Sequence, residues 1–401
     1  MTVSDFAQTS RSSIQAEQPE AQAPAILQVL PALMAGGVER GVVDVTAAIV
    51  RAGWRALVVS QGGPMVRDVQ RVGGTHFTLP IGTRYPLLYR RNAALLTGLI
   101  QDNAVDLVHA RSRAPAWSAM RAARATGVPF VTTFHGTYGS NNALKRRYNS
   151  VMTKGDRVIA ISDFVNQHIR DGYKMDTDKL VTIHRGVDTS QFDPAAVTAA
   201  RIIQLSQAWR LPDGVPVIML PGRITRWKGQ QILIEALYRL PHRDFICVIV
   251  GSAKRRATYR DELEKMVAER SLDSVVSFVD HEMDMPAAYM LADVVVSAST
   301  DPEAFGRVSA EAQAMGRLVV ATDHGGSRET VVPGETGWLV RPGDPAELAT
   351  AITDALELNA TARHAMAQRA RNRIREKFDV TRMCNATLGV YSEMLGRTWN
   401  S

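Results

Sequence analysis

Two carboxylates, Glu303 and Glu311, stand eight positions apart in Asp301-Pro-Glu-Ala-Phe-Gly-Arg-Val-Ser-Ala-Glu-Ala-Gln-Ala-Met-Gly316. A carboxylate accepts two hydroxyl hydrogen bonds, which is how a protein holds the diol of a ribose or a sugar. From about Arg307 the residues are mostly good helix formers, and Gly316 stops them. Glu303 therefore falls on the loop before a helix, beside Phe305 and Gly306, and Glu311 lies one turn inside it. The free backbone N–H groups at that helix start form an anion site. This layout suits a ligand with phosphates in the middle and hydroxyls on both sides. Taken alone, the two acids read equally well as a helix cap and a surface charge.

Other residues could complete such a site. Pro221-Gly-Arg-Ile-Thr-Arg-Trp-Lys-Gly229 places Arg223 and Lys228 just after a strand and before a helix. A guanidinium fork and a point charge five apart around a glycine-flanked turn make a diphosphate clamp, or else ordinary surface charge. Near the N-terminus, Pro31-Ala-Leu-Met-Ala-Gly-Gly-Val-Glu39 is a glycine turn between a strand and a helix. Gly36 and Gly37 let backbone approach a ligand closely, although the stretch is not the dinucleotide fingerprint and also reads as a packing turn. His135, in Thr133-Phe-His-Gly-Thr-Tyr138, sits at a strand end next to a glycine.

The elements that must position these residues alternate along the chain. Apolar runs at 25–30, 56–60, 76–79, 106–109, 129–134, 157–161 and 180–183 read as strands with helical stretches between several of them. Residues 189–214 read as a linker containing one helix. A second alternating series begins at Val217 and includes runs at 245–250, 275–279, 293–297 and 318–321. Strands separated by helical patterns predict α/β architecture: two doubly wound parallel-sheet domains, at 24–188 and 215–378, facing across a cleft. Ligands of such sheets bind outside the carboxyl ends of the strands. That rule selects His109, Arg111, His135, Ser162 and Arg185. The tail 379–401 predicts a helix crossing back to the first domain.

The chain of 401 residues is 45% hydrophobic and 22% charged, ordinary for a soluble globular protein. No apolar run approaches about 20 residues, so no transmembrane helix is expected. Residues 1–23 are rich in Ser, Gln, Ala and Glu without an apolar stretch, and read as a disordered leader. Two cysteines, Cys247 and Cys384, make neither a metal site nor a disulfide framework and fit a reducing cytoplasm. A net charge of +7 favours anionic partners: nucleotide phosphates, acidic glycolipids or a membrane surface. No nucleic-acid-binding motif is present. Two basic features, the apolar stretch 86–100 with Arg90 and Arg91 near its start and the cluster Lys145-Arg-Arg147, fit either anionic lipid or an ordinary helix and a solvated face.

Together these motifs resemble the retaining nucleotide-sugar glycosyltransferases of family 4, with the GT-B fold of two Rossmann-like domains. The resemblance covers nearly the whole chain from about Ala25. It is carried by Glu303 to Glu311, by Gly222-Arg223 with Lys228-Gly229, by Val187-Asp188, by Gly325-Gly326 with Glu329, and by Gly334 with Gly337-Trp-Leu-Val340. It implies that Arg223 and Lys228 hold the donor diphosphate and that Glu303 contacts the donor sugar. Phe305, Gly306 and Arg307 would offer backbone amides, and Glu311 would bind the ribose. Gly37 would abut the diphosphate from the first domain, and His135 would line the donor sugar and reaction centre. Arg185 stands where the family often has asparagine. Such enzymes need no metal.

For the acceptor, His109-Ala-Arg-Ser-Arg-Ala-Pro-Ala-Trp-Ser118 with Thr132 to Tyr138 looks like the branch that builds lipopolysaccharide core. That implies a mannosyl or related hexosyl donor such as GDP-mannose and an anionic Kdo–lipid A acceptor, with the protein peripheral at the inner face of the cytoplasmic membrane. Arg111, Arg113 and the 145–147 cluster suit such an acceptor. Another glycan, such as an exopolysaccharide or a small glycoside, and a sugar-nucleotide epimerase or hydrolase of the same fold are the competing readings.

Overall fold

The computed structural model describes residues 23–83, 85, 87–139, 142–253, 257–280 and 282–398. The leader read at 1–23 falls, but for its last residue, outside them. In the first half, strands β1 (Ala25–Val29), β2 (Arg55–Ser60), β3 (Thr75–Thr78), β4 (Leu107–Ala110), β5 (Phe130–Phe134), β6 (Arg157–Ala160) and β7 (Leu180–Thr182) form one sheet in the order β3-β2-β1-β4-β5-β6-β7. In the second, β8 (Val217–Pro221), β9 (Ile246–Val250), β10 (Val276–Val279), β11 (Val294–Ser297), β12 (Leu318–Thr322) and β13 (Trp338–Val340) run in the order β10-β9-β8-β11-β12-β13.

Every pairing is parallel. Helices cover both faces of such a sheet, so the central strands are apolar on both sides; Val294, Val295 and Val296 are all fully buried. Strand order reverses between β1 and β4 and again between β8 and β11. At these switch points the crossover helices leave in opposite directions and open a crevice at the strand ends. The loops after these four strands carry Gly37, Arg111, Arg223 with Lys228, and Glu303. The fold is thus two doubly wound domains with their carboxyl edges turned to a common cleft.

The helix Val380–Leu395 packs on the first domain: Met383, Cys384, Leu388 and Tyr391 share a buried cluster with Ile26, Val45, Ile49 and Ile159. It is tied at its start, where Val187 donates to the Phe378 carbonyl at 2.8 Å and Val380 donates to the Val187 carbonyl at 2.9 Å. Residues 189–214 contain the helix Ala199–Trp209, which is pinned to the second domain by Arg201, 2.8 Å from Asp284.

Several elements go beyond the sequence reading. The helix read from Trp117 begins at Arg113, because Pro115 occupies its third position, where no intrahelical N–H is required. The strand β13 and the helices Asp163–Gly172, Pro345–Glu357 and Ala360–Lys377 are additional.

Candidate active site

The turn after β8 brings a cation to the end of β11. Gly229 has φ +72°, and a Cβ there would lie 1.8 Å from the Ala298 carbonyl oxygen. Only glycine lets the turn press onto β11, and that contact places Lys228 beside the loop that follows. The Lys228 Nζ pairs with the Glu303 carboxylate. The same carboxylate accepts from Ser299 Oγ at 2.7 Å. Gly229→Ala is expected to destabilise the protein by about 2–4 kcal/mol, because it adds left-handed strain to a backbone clash; urea unfolding measures this. Arg223 points to solvent, and its guanidinium makes no ion pair among the described residues; its carbonyl accepts from Gln230 at 3.0 Å.

Glu303 and its neighbours are fixed from behind. A Cβ on Gly325 would meet the Glu303 carbonyl at 2.4 Å, and one on Gly326 would meet Phe305 Cα at 2.4 Å. These two glycines therefore serve close backbone packing under the Glu303 loop. Gly306, at φ +83°, turns the chain into the helix Arg307–Ala314. Glu311 is 6% exposed. Its two oxygens accept from Tyr289 OH at 3.0 Å and from Arg307 Nε at 2.5 Å. Arg307 reaches one turn forward to Glu311 through its side chain, a contact the i,i+4 spacing makes available. Its Nη1 also comes within 3.6 Å of where a Gly37 Cβ would stand, so the second domain meets the glycine turn of the first.

On the first domain's wall, Arg185 Nη1 lies 3.3 Å from His135 Nδ1. Burial, then the charges of Arg111 and Arg185, hold the His135 imidazole well below its usual range, so it is neutral. A guanidinium only donates. His135 Nδ1 is therefore the acceptor, and the proton sits on Nε2, which is buried and has no partner. His135 is a hydrogen-bond donor here and is not set up as a base. His109 is a different case. Its Nδ1 meets Tyr391 OH at 2.5 Å and its Nε2 meets Thr133 Oγ1 at 2.7 Å, and burial keeps it neutral. Both nitrogens are satisfied inside the domain, so His109 serves the core.

Residues 202–373 match the family model of glycosyl transferases group 1, and residues 35–191 match that of glycosyltransferase family 4. The crystal structure of a glycosyltransferase from Rickettsia africae ESF-5 is 37% identical, covers 94% of this chain and 100% of its own, and superposes with a TM-score of 0.88. The chain is a group 1 glycosyltransferase. A D-inositol 3-phosphate glycosyltransferase of Xylanimonas cellulosilytica is 29% identical over 399 residues, covering 90% of this chain and 93% of that one. Anabaena Alr3699/HepE, solved in complex with UDP-glucose, has the same GT-B fold at 24% identity, with a TM-score of 0.81 over 92% of this chain and 99% of its own.

Glu329 holds the two domains of this glycosyltransferase together. It sits in the short helix Ser327–Thr330 after β12 and accepts from the backbone N–H groups of Asp163 and Phe164 at 2.9 and 2.8 Å, at the start of the helix Asp163–Gly172. His184 Nε2 lies 2.9 Å from the same carboxylate. Ser162 Oγ donates to the Ala304 carbonyl at 2.6 Å, again across the cleft. Asp163, His184 and Glu329 form a group that could ligate a metal, but the Glu329 oxygens are already engaged in this cross-domain contact.

The hydrogen bond to Glu329 raises the His184 pKa, and burial opposes that shift. A raised folded-state pKa means that the stabilisation is fully present below the ordinary value and is lost as pH rises through the raised one. The stability advantage of the glycosyltransferase over a His184→Gln variant should therefore be largest near pH ~6 and shrink by about pH 8. Urea unfolding at both pH values checks this.

Glu303 and Lys228 thus share one contact, and Arg307 and Glu311 share another. Gly37 faces that second pair, and Phe305 and Gly306 shape the loop between the two. His135 is coupled to Arg185, while Arg223 stands free at the rim. Tyr289 and Ser299 are not selected by the sequence, and Glu329 enters there only as part of the resemblance, with no role.

Proposed function

We propose that this glycosyltransferase moves a hexose, mannose from GDP-mannose, onto a lipopolysaccharide-core acceptor of Kdo–lipid A type, with retention of anomeric configuration and without a metal. The observation that carries the reading is the pairing of Lys228 with Glu303 and of Arg307 with Glu311 around one helix start, with Gly37 opposite. A nucleoside diphosphate fits this line: ribose on Glu311, phosphates on the helix amides with Lys228 and Arg223, and sugar hydroxyls on Glu303. Lys228 and Arg223 supply the positive charge that stabilises the leaving diphosphate. The neutral His135, with its proton on Nε2, donates to a sugar hydroxyl. The C1–O bond to the diphosphate breaks, an acceptor oxygen bonds C1 on the same face, and the leaving phosphate takes the acceptor proton. Closure around Glu329 keeps water from the donor.

The acceptor reading draws on the basic N-terminal domain. Leu87 is 92% exposed and Leu144 76% exposed, and they stand near Arg90 and Arg91 and beside Lys145 respectively, a composition suited to an anionic membrane face. Among the described residues no helix is long and apolar enough to cross a membrane, so the proposed location is peripheral, at the cytoplasmic side of the inner membrane. The test is a panel of nucleotide sugars with Kdo–lipid A as acceptor, read by mass spectrometry. One donor should give a product heavier by one hexose. Transfer only to soluble metabolites would sink the lipopolysaccharide assignment, and epimer or free sugar from donor alone would favour an epimerase or a hydrolase.

A further inference from the structure

Arg111 and Arg185 are 4% and 8% exposed, yet neither enters an ion pair among the described residues. Buried guanidinium groups are ordinarily matched by carboxylates, because an unmatched buried charge is costly. Here the neighbours make matters worse. The Nη2 atoms of both arginines converge on Gly41, 2.9 and 3.4 Å from where its Cβ would be, and Arg307 and Arg185 converge on Gly37. The nearby Asp44 is already ion-paired with Arg40 at 3.2 Å. Burial, followed by repulsion from Arg307 and Arg111, lowers the Arg185 pKa to about 9. Arg111 Nε and His135 Nε2 are buried donors without acceptors. Two glycines, at 37 and 41, keep the helix Gly37–Arg51 clear of the cluster.

We propose that Arg111 and Arg185 form a second oxyanion subsite, on the N-terminal wall of the cleft and apart from Arg223 and Lys228, that receives a phosphate or carboxylate group. The inference rests on the cleft being the transfer site. Arginine at 185 replaces the asparagine often found in the resembled family, so the subsite belongs to this chain's own specificity. The anion is carried either by the acceptor or by the donor, and the experiment separates the two.

The probe is inorganic phosphate, followed by melting temperature in a phosphate-free buffer with and without additions. The Lys228→Ala protein should still be stabilised by phosphate, and adding Arg185→Asn should weaken that apparent affinity by at least about tenfold. Without phosphate, Arg185→Asn should melt at or above its parent, since it removes an unmatched buried charge; a merely structural arginine would lower it. Arg185→Gln repeats the comparison if the asparagine variant does not fold. Saturating wild-type protein with UDP and, separately, with GDP then assigns the source. Phosphate that still binds beside the nucleotide marks an acceptor group, and phosphate that competes marks the donor's own diphosphate. Phosphate that stabilises Lys228→Ala and Lys228→Ala/Arg185→Asn equally, or neither, overturns the subsite. No turnover is required, so this failure is distinct from failure of the glycosyltransferase reading, which loss of activity in Lys228→Ala tests.

Discussion

Replacing Lys228 with alanine is expected to lower kcat/KM by about 10²–10³-fold, the loss typical when one preorganised charge is removed from a developing anion. The expectation follows from position. Lys228 is held by the Gly229 turn against β11 and, in the absence of ligand, is neutralised by Glu303. When a diphosphate arrives, the ammonium can turn to it while Glu303, still held by Ser299 Oγ at 2.7 Å, is released to sugar hydroxyls. On the proposed reading, the pair stands in for substrate. Because the charge that Lys228 neutralises grows as the leaving group departs, the defect should fall mainly on kcat. Steady-state kinetics separates this from a loss of affinity alone. Lys228→Arg should recover only part of the rate, since a planar fork cannot occupy the site of a compact ammonium.

Glu311→Ala is expected to cost both stability and donor binding. Its carboxylate takes one hydrogen bond from the buried Tyr289 hydroxyl and one from Arg307, and each oxygen keeps a lone pair for a ribose hydroxyl. Removing it strands a buried phenol and an unpaired guanidinium. The expected loss is about 2–4 kcal/mol in urea unfolding. The apparent Kd for the donor nucleotide should rise by one to two orders of magnitude, as about 1.5–3 kcal/mol of charge-assisted hydrogen bonding disappears. Glu311→Gln keeps the acceptor for Tyr289 but loses the charge, so it should recover much of the stability and less of the binding. Equal recovery of both would contradict a ribose role.

Much of this site was legible because local rules govern it. The loop Phe305-Gly306 and the helix after it follow from one left-handed glycine and a run of helix formers. The alternation of strand and helix fixed the doubly wound layout, and the strand-end rule selected His135, Arg111 and Arg185. What was not legible depends on residues brought together across long stretches of chain. His135 and Arg185 are 50 positions apart, Lys228 and Glu303 75, and Glu329 and Phe164 165. No spacing rule reaches that far, so the tautomer of His135 and the placeholder pairing needed coordinates. The i,i+4 relation of Arg307 and Glu311 is readable from their spacing, although the resemblance implies only a backbone role for Arg307. The helix Pro345–Glu357 also carries a usable signal, an Asp344 cap followed by proline, whereas Ala360–Lys377 is rich in arginine and buries only Met366, Ala370 and Ile374.

On the proposed mechanism the leaving diphosphate, and no side chain, takes the acceptor proton. His135 carries its proton on the free nitrogen, and Glu303, once Lys228 turns to the diphosphate, is taken up by sugar hydroxyls, so neither stands ready as the base that an inverting displacement needs. The direct test is proton NMR of the reaction mixture with an α-linked nucleotide hexose, following the anomeric signal of the first product formed. The proposed mechanism predicts an α-linked product, with one nucleoside diphosphate released per transfer. A β-linked product would contradict it.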